Sequence, residues 1–530
     1  MTDPSRITTE EMAARLSLYK YSEAACRAAI RGEKIPHELG QPLIRLCLVR
    51  GIRYCDGFGE ELRGVLPEFT RALNARSIMS NRIPDMREDD EVPYCIWYPQ
   101  VASKATYREL ARRYPHMAYQ VGRACAVAGV EYLDLYKELD IFPDVHIAEE
   151  AREAGNLDLY DFIMTQPLRY DVMNDYTRSV AANPRKGAHL NGDTAVCRSL
   201  DIKQEFRTAR APDHIDKEGK PRYIWRSRGF DINVFDITED MNIEEMSKTG
   251  IKGPLLVTSP AVLELLSSPL PTDLPTVDKD LLILMAAYYG DIDRYIRLRR
   301  PKPLVQEVEC CVRGIYHNTM FALWWARQEQ SDTSRTISDH IRQAISARMI
   351  MNNVIARMEK KEFDDPYLIW YPCIAAESTY RELFRIRPSM SPQILRACIA
   401  GNYLDLFEET LAEIKPDVVV VEEANVAGGS FKHSMERRLH ELAGCIAPIE
   451  SFEHWKRGTR RELEVVGNGV SKTVGISTGF GLLYDGLQCN AEGVEVLASM
   501  PKEWREFPEQ QVDLDYVEWP PGKEDGTTGA

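Results

Sequence analysis

Two pairs of neighbouring carboxylates, Asp89-Asp90 and Asp364-Asp365, are the residues of this chain best suited by type and spacing to do chemistry. Like charges side by side push their pKa values apart, so one carboxyl keeps a proton while the other accepts one. The same pair can seat a guanidinium as a bidentate acceptor. Solvated acidic loops that only border a helix have the same composition. Each pair precedes an aromatic block, Tyr94-Cys-Ile-Trp97-Tyr98-Pro99 and Tyr367-Leu-Ile-Trp370-Tyr371-Pro372, and a Tyr-Arg step follows at Tyr107-Arg108 and Tyr380-Arg381. The four carboxylates are the catalytic candidates, with Trp97, Tyr98, Trp370, Tyr371, Tyr380 and Arg381 as candidate substrate contacts. A Trp-Tyr-Pro run at the start of a helix serves core packing more often than recognition.

Other signatures are missing. There is no HExxH or CxxC, and no Cys/His set at zinc spacing. His433 and His440 share a helix face but make an incomplete metal site, and adjacent Cys310-Cys311 point to opposite sides of a helix. In the Gly-rich stretch 466–481, Ser471 stands where a phosphate loop needs Gly before its Lys. Neither a metal nor a cofactor is expected.

The elements that position these residues come from a duplication. Residues 94–110 and 367–383 are identical at 11 of 17 positions. The match continues through Ala75-Arg76 with Ala347-Arg348, Val49-Arg-Gly-Ile52 with Val312-Arg-Gly-Ile315, and Arg123-Ala-Cys125 with Arg396-Ala-Cys398. Within each copy a short Ala-rich helix, a Gly and a second amphipathic run recur, as at Gly155, Gly290 and Gly401. Gly supplies the positive φ that separates such helices. The pattern is that of degenerate, ankyrin-like helix pairs stacked as a solenoid. The predicted fold is mainly α: a helical-repeat unit over 1–165, an irregular basic and aromatic insertion over 166–275, a second helical unit over 276–415, a small α+β region over 416–500, and a disordered acidic tail over 501–530. The helices after the aromatic blocks are predicted to begin at Thr106 and Thr379, with Glu109 and Glu382 completing capping boxes.

At 530 residues, with 44% hydrophobic and 28% charged side chains, the chain has globular composition and room for more than one core. No apolar run is long enough for a membrane span, the start lacks a secretory pattern, and the twelve cysteines are too dilute for a disulfide framework. A cytoplasmic protein without membrane association is expected. The net charge of −15 repels polyanions at long range, yet residues 169–228 hold 13 Lys and Arg against 8 Asp and Glu. There Arg207, Arg210, Arg222, Trp225, Arg226 and Arg228 combine charge for phosphates with rings for unpaired bases. An exposed insertion salted with charge reads the same way.

The Ile-Trp-Tyr-Pro block with its Thr-Tyr-Arg-Glu-Leu helix, the Arg-Ala-Cys helix, and the Glu149-Glu-Ala-Arg run followed by Pro167-Leu-Arg-Tyr-Asp-Val-Met resemble a group of filamentous-fungal proteins. That group includes the arginine-containing cyclodipeptide synthases of secondary-metabolite clusters. The resemblance implies an enzyme that joins aminoacyl groups from arginyl-tRNA and a second aminoacyl-tRNA into a diketopiperazine. It casts the basic aromatic stretch as the tRNA contact and the acidic pairs as holders of arginine or carriers of protons. The competing class is a non-catalytic ankyrin-like scaffold that binds a protein partner.

Overall fold

A computed structural model describes residues 9–195, 264–300, 303, 307–445 and 447, with short breaks at 21, 267, 278, 332–338, 360–364, 367 and 446, and the strand pair His214–Ile215 with Pro221–Arg222. The fold is mainly α. It divides into two compact units, Met1–Leu282 with Leu298–Val305, and Ile283–Arg297 with Gln306–Ala530.

In the first unit the helices are α1 (Thr9–Leu16), α2 (Glu23–Ile30), α3 (Pro42–Tyr54), α4 (Pro67–Met79), α5 (Lys104–Arg113), α6 (Ala118–Ala128), α7 (Leu133–Glu138), α8 (Val145–Glu153) and α9 (Leu157–Met164). Neighbours pair, α2 on α3 and α8 on α9. Gly51 of α3 lies so close to α2 that a Cβ there would fall 1.9 Å from the Ala29 carbonyl oxygen. Gly314 repeats this in the second unit, where its Cβ would fall 2.1 Å from the Ala287 oxygen. Only a residue without a side chain permits either approach. Gly155 and Gly290 adopt positive φ as expected, but Gly401 ends its helix and Asn402, at φ 58°, makes the left-handed turn instead.

The duplicated turn is tied down by the same bonds in both copies. The Tyr107 hydroxyl donates to the Ile96 carbonyl at 2.7 Å and accepts from the Ala102 N–H at 3.0 Å; Tyr380 does the same with Ile369 at 2.8 Å and Ala375 at 3.0 Å. Tyr132 and Tyr403 donate to the carbonyls of Ala102 and Ala375. Arg76 and Arg348 reach back to the carbonyls of Arg53 and Tyr316.

The helix starts differ from expectation. α5 begins at Lys104 with Ser103 as N-cap, and its counterpart Glu377–Ile386 begins after Ala376, so Thr106 and Thr379 lie inside the first turn. The carboxamides of Asn81 and Asn353, both in left-handed backbone, accept from the N–H of residues 103 and 376 and from the Thr106 and Thr379 hydroxyls. Glu109 and Glu382 close no capping box; they pair with Arg112 and Arg385 at the surface.

Part of the stretch expected to be irregular is a hairpin, β1 (Tyr170–Asn174) against β2 (Ser179–Lys186), whose register shifts between Asp171 and Met173. Asp144 joins it to the helices: one carboxylate oxygen caps α8 at the Ile147 N–H, and the other accepts from the N–H groups of Val172 and Met173. Residues 170–195 therefore belong physically to the first unit, beyond the change in composition at 165. The two ends of segment 196–273 meet, with the Leu274 N–H bonded to the Leu190 carbonyl at 3.1 Å and the Val277 N–H to the Gly192 carbonyl at 2.8 Å. Buried Lys279, 3.0 Å from Asp193, and Arg300, also paired with Asp193, complete that junction.

In the second unit the apolar run Val418–Val421 opens a helix, Val418–Ala427, capped by Asp417, and a further helix spans Gly429–Glu441. These helices occupy the start of the region expected to be α+β; its remainder and the acidic tail lie outside the described residues. Cys310 and Cys311 are both core residues, and His433 and His440 are exposed. No described helix is long and apolar enough to cross a membrane.

Candidate functional site at the duplicated aromatic turn

Of the two acidic pairs, the structure describes Asp89-Asp90 in full and only Asp365 of the second. Asp89 and Asp90 sit on an exposed turn, Asp89–Glu91, closed by reciprocal contacts of Glu88 and Glu91 and docked through its backbone to Arg71 and Asn74. Asp365 accepts from the Ser389 hydroxyl at 2.6 Å and lies 3.4 Å from Arg387, beside an open cleft of about 480 Å³ lined by Met358, Glu359, Ile386 and Arg387. Asp364 lies outside the described residues.

The aromatic candidates split. Trp97 and Trp370 are buried core residues with guanidinium groups over their rings, Arg123 at 5.2 Å and Arg396 at 4.7 Å. Tyr380 is fully buried with its hydroxyl engaged twice, and Arg381 pairs at the surface with Glu377 and Glu409. Burial removes the two tryptophans and Tyr380 from reach of a substrate. Tyr98 and Tyr371, each before a cis proline, are half-buried. Of the basic and aromatic contacts expected for tRNA, Arg222 is in a two-residue strand, and Arg207, Arg210, Trp225, Arg226 and Arg228 lie outside the described residues.

Side by side, the two turns differ where it matters chemically. In the first copy Tyr54 and Tyr98 share a hydroxyl–hydroxyl bond of 2.9 Å, and Arg76 donates to the Gln100 carboxamide at 3.1 Å. In the second, His317 replaces Tyr54 and packs its ring edge-on 5.6 Å from Tyr371, and Cys373 replaces Gln100. Arg348, the counterpart of Arg76, points Nη1 at the Cys373 Sγ at 3.5 Å while Thr319 and the Tyr316 carbonyl hold its guanidinium. Burial, with the Arg313 and Arg348 cations, pushes the His317 pKa down to about 3, so the ring is neutral at physiological pH. The second turn thus gathers an exposed thiol, a neutral imidazole, a phenol and a fixed guanidinium, a set suited to nucleophilic attack on a carbonyl with support for the developing oxyanion. The sequence held the signal as two mismatches inside an otherwise repeated scaffold.

The first unit carries a second concentration of charge. Arg123, wholly buried, donates to Glu150 at 2.8 Å, to Asp175 at 3.0 Å and to the Thr194 carbonyl at 2.8 Å. His146 lies 3.0 Å from Asp171 and 3.3 Å from Asp175, and the Tyr94 hydroxyl donates to Asp175 at 3.1 Å. The second copy keeps the Arg396–Glu423 pair and the Asp417 cap, but Val419 stands at the position of His146. The shared pair is scaffold, and the imidazole is an addition of the first copy.

Burial opposes charge on His146, but the Asp171 and Asp175 carboxylates more than reverse this and hold its pKa up at about 10. An unfolded histidine titrates near 6.5, so the imidazolium's contribution to stability is complete below about pH 6.5 and is lost as pH rises through about 10. The expected result is that the urea stability of the wild-type chain falls more steeply between pH 7 and 10 than that of His146→Gln. Parallel curves would remove the ion pairs from the account.

Over residues 97–204, from the first aromatic turn through the hairpin, the chain is similar to the family described as the YKP1 C-terminal domain. No curated protein and no solved structure matches the chain.

Proposed function

We propose that this chain is a cytoplasmic, aminoacyl-tRNA-dependent enzyme that builds an arginine-containing cyclic dipeptide, with its reactive centre at the second copy's aromatic turn. The observation that carries the reading is the exchange of Tyr54 and Gln100 for His317 and Cys373 on an otherwise repeated frame. Forming the ring needs two amide bonds, made as two aminoacyl esters break and two tRNA hydroxyls leave. The esters are already activated, so the protein has to hold two substrates in reach and manage protons. The substrate class comes from the resemblance of the duplicated blocks to the fungal synthases, and the basic aromatic stretch 169–228 supplies charge and rings for the tRNA ends.

A protein-binding scaffold is the second reading, favoured by the burial of Trp97, Trp370 and Tyr380 and by exposed Val130, Phe142 and Leu157 on the first unit. Mass spectrometry of extracts from a host expressing this chain alone separates the two. The enzyme reading expects a new arginine-containing cyclic dipeptide whose cell-free synthesis stops on ribonuclease treatment. Soluble, folded protein with no such product would leave the scaffold.

A further inference from the structure

We propose that Cys373 is a covalent acyl acceptor, taking one aminoacyl group from its tRNA as a thioester before the second amino acid attacks it. This rests on the synthase reading above and gives that site its nucleophile.

Among the described cysteines Cys26, Cys47, Cys95, Cys125, Cys310, Cys311 and Cys398 are buried, Cys55 is half-buried, and Cys373 and Cys445 are exposed. Cys373 differs from an incidental surface thiol in three respects. First, its backbone is fixed, since the bonds of Tyr380 and Tyr403 to Ala375 and of Asn353 to Ala376 clamp the residues that follow it. Second, the guanidinium aimed at its sulfur is itself nine-tenths buried and held by Tyr316 and Thr319, so it needs no reorganisation to meet negative charge on sulfur. Third, the first copy presents the same arginine to a carboxamide, which has no nucleophilic chemistry. The arginine is common to both copies and the thiol belongs to one.

The step balances without an oxidant or a cofactor. The Cys373 thiolate attacks the aminoacyl ester carbonyl, a C–S bond forms, the C–O bond to the ribose breaks, and the leaving ribose oxygen takes a proton. The amine of the second aminoacyl-tRNA then attacks the thioester, an amide forms, the C–S bond breaks, and the thiolate is regenerated as the amine loses its proton. The free amine of the dipeptidyl-tRNA closes the ring on the remaining ester.

The test uses the full chain with total aminoacyl-tRNA, quenched in acid and read by intact mass, alongside product assays of wild type, Cys373→Ala and wild type alkylated at Cys373. The expected result is a mass gain of one aminoacyl residue on wild type, released by neutral hydroxylamine and missing from Cys373→Ala, with product formation down by more than about 100-fold in the variant and the alkylated protein. Unchanged circular dichroism of Cys373→Ala shows that the loss is not unfolding. Wild-type turnover in a folded Cys373→Ala would overturn the covalent role and leave the synthase reading standing. A wild type that makes no product and takes up no acyl group would overturn both.

Discussion

Replacing Arg123 with Met is expected to cost about 3–5 kcal/mol of stability, because it strands carboxylates that are themselves out of water. Glu150 is fully buried and Asp175 is 4% exposed, and both lean on this one guanidinium. Asp175 shows the dependence: burial alone would raise its pKa, yet Arg123 and His146 hold it below the usual carboxylate range. The second copy supplies the control. Arg396 faces Glu423 without a counterpart of His146, so removing Arg396 alone is expected to be costly, but Arg396→Met with Glu423→Leu together removes charge and counter-charge. Such paired replacements are often neutral or stabilising. Urea unfolding of the full chain measures all three, and a loss below about 1 kcal/mol for Arg123→Met would show that water reaches the network.

The second large effect is expected from one methyl group. In Gly51→Ala the new Cβ meets the Ala29 carbonyl oxygen at 1.9 Å, and in Gly314→Ala the Ala287 oxygen at 2.1 Å. Both obstacles are backbone, so no side-chain rotation relieves them, and the helices must part along their length. A loss of about 3 kcal/mol or more is expected at each position, above the usual range for overpacking. The diagnostic result is the failure of a rescue. Ala29→Gly removes a methyl group but leaves the carbonyl, so Gly51→Ala with Ala29→Gly should melt as early as Gly51→Ala alone. Recovery of the melting temperature would place the conflict elsewhere.

The frame was legible in the sequence because its parts are repeated and each repeat performs the same physical task. The Val-Arg-Gly-Ile match marks the close helix approach, and the repeated Thr-Tyr-Arg-Glu-Leu marks the tyrosine that clasps the turn. The helix starts are not fixed by the residues that flank them. A Thr with Glu three residues later looks the same whether the Thr opens the helix or sits inside it, and the group that fixes the start is Asn81 or Asn353, more than twenty residues upstream. The site was less legible. Asp89 and Asp90 stand out by their acidity, yet their turn is a surface cap, whereas Cys373 and His317 are unremarkable letters until folding sets them beside Arg348 and Tyr371. The His146 network was hidden likewise, since Asp171 and Asp175 join it only through a hairpin in a stretch that reads as irregular.

The meeting of Leu190 with Leu274 and of Gly192 with Val277 bears on how this protein changes over generations. Departure and return points that are bonded to each other close the chain between them into a detour, and the cost of closing a detour depends only weakly on its length. Doubling such a detour costs only about 0.6 kcal/mol in chain entropy. Changes in chain length between residues 195 and 264 are therefore compatible with the Asp193, Lys279 and Arg300 pairs that close the junction. A lineage can lengthen or shorten that stretch without renegotiating the helices that carry it.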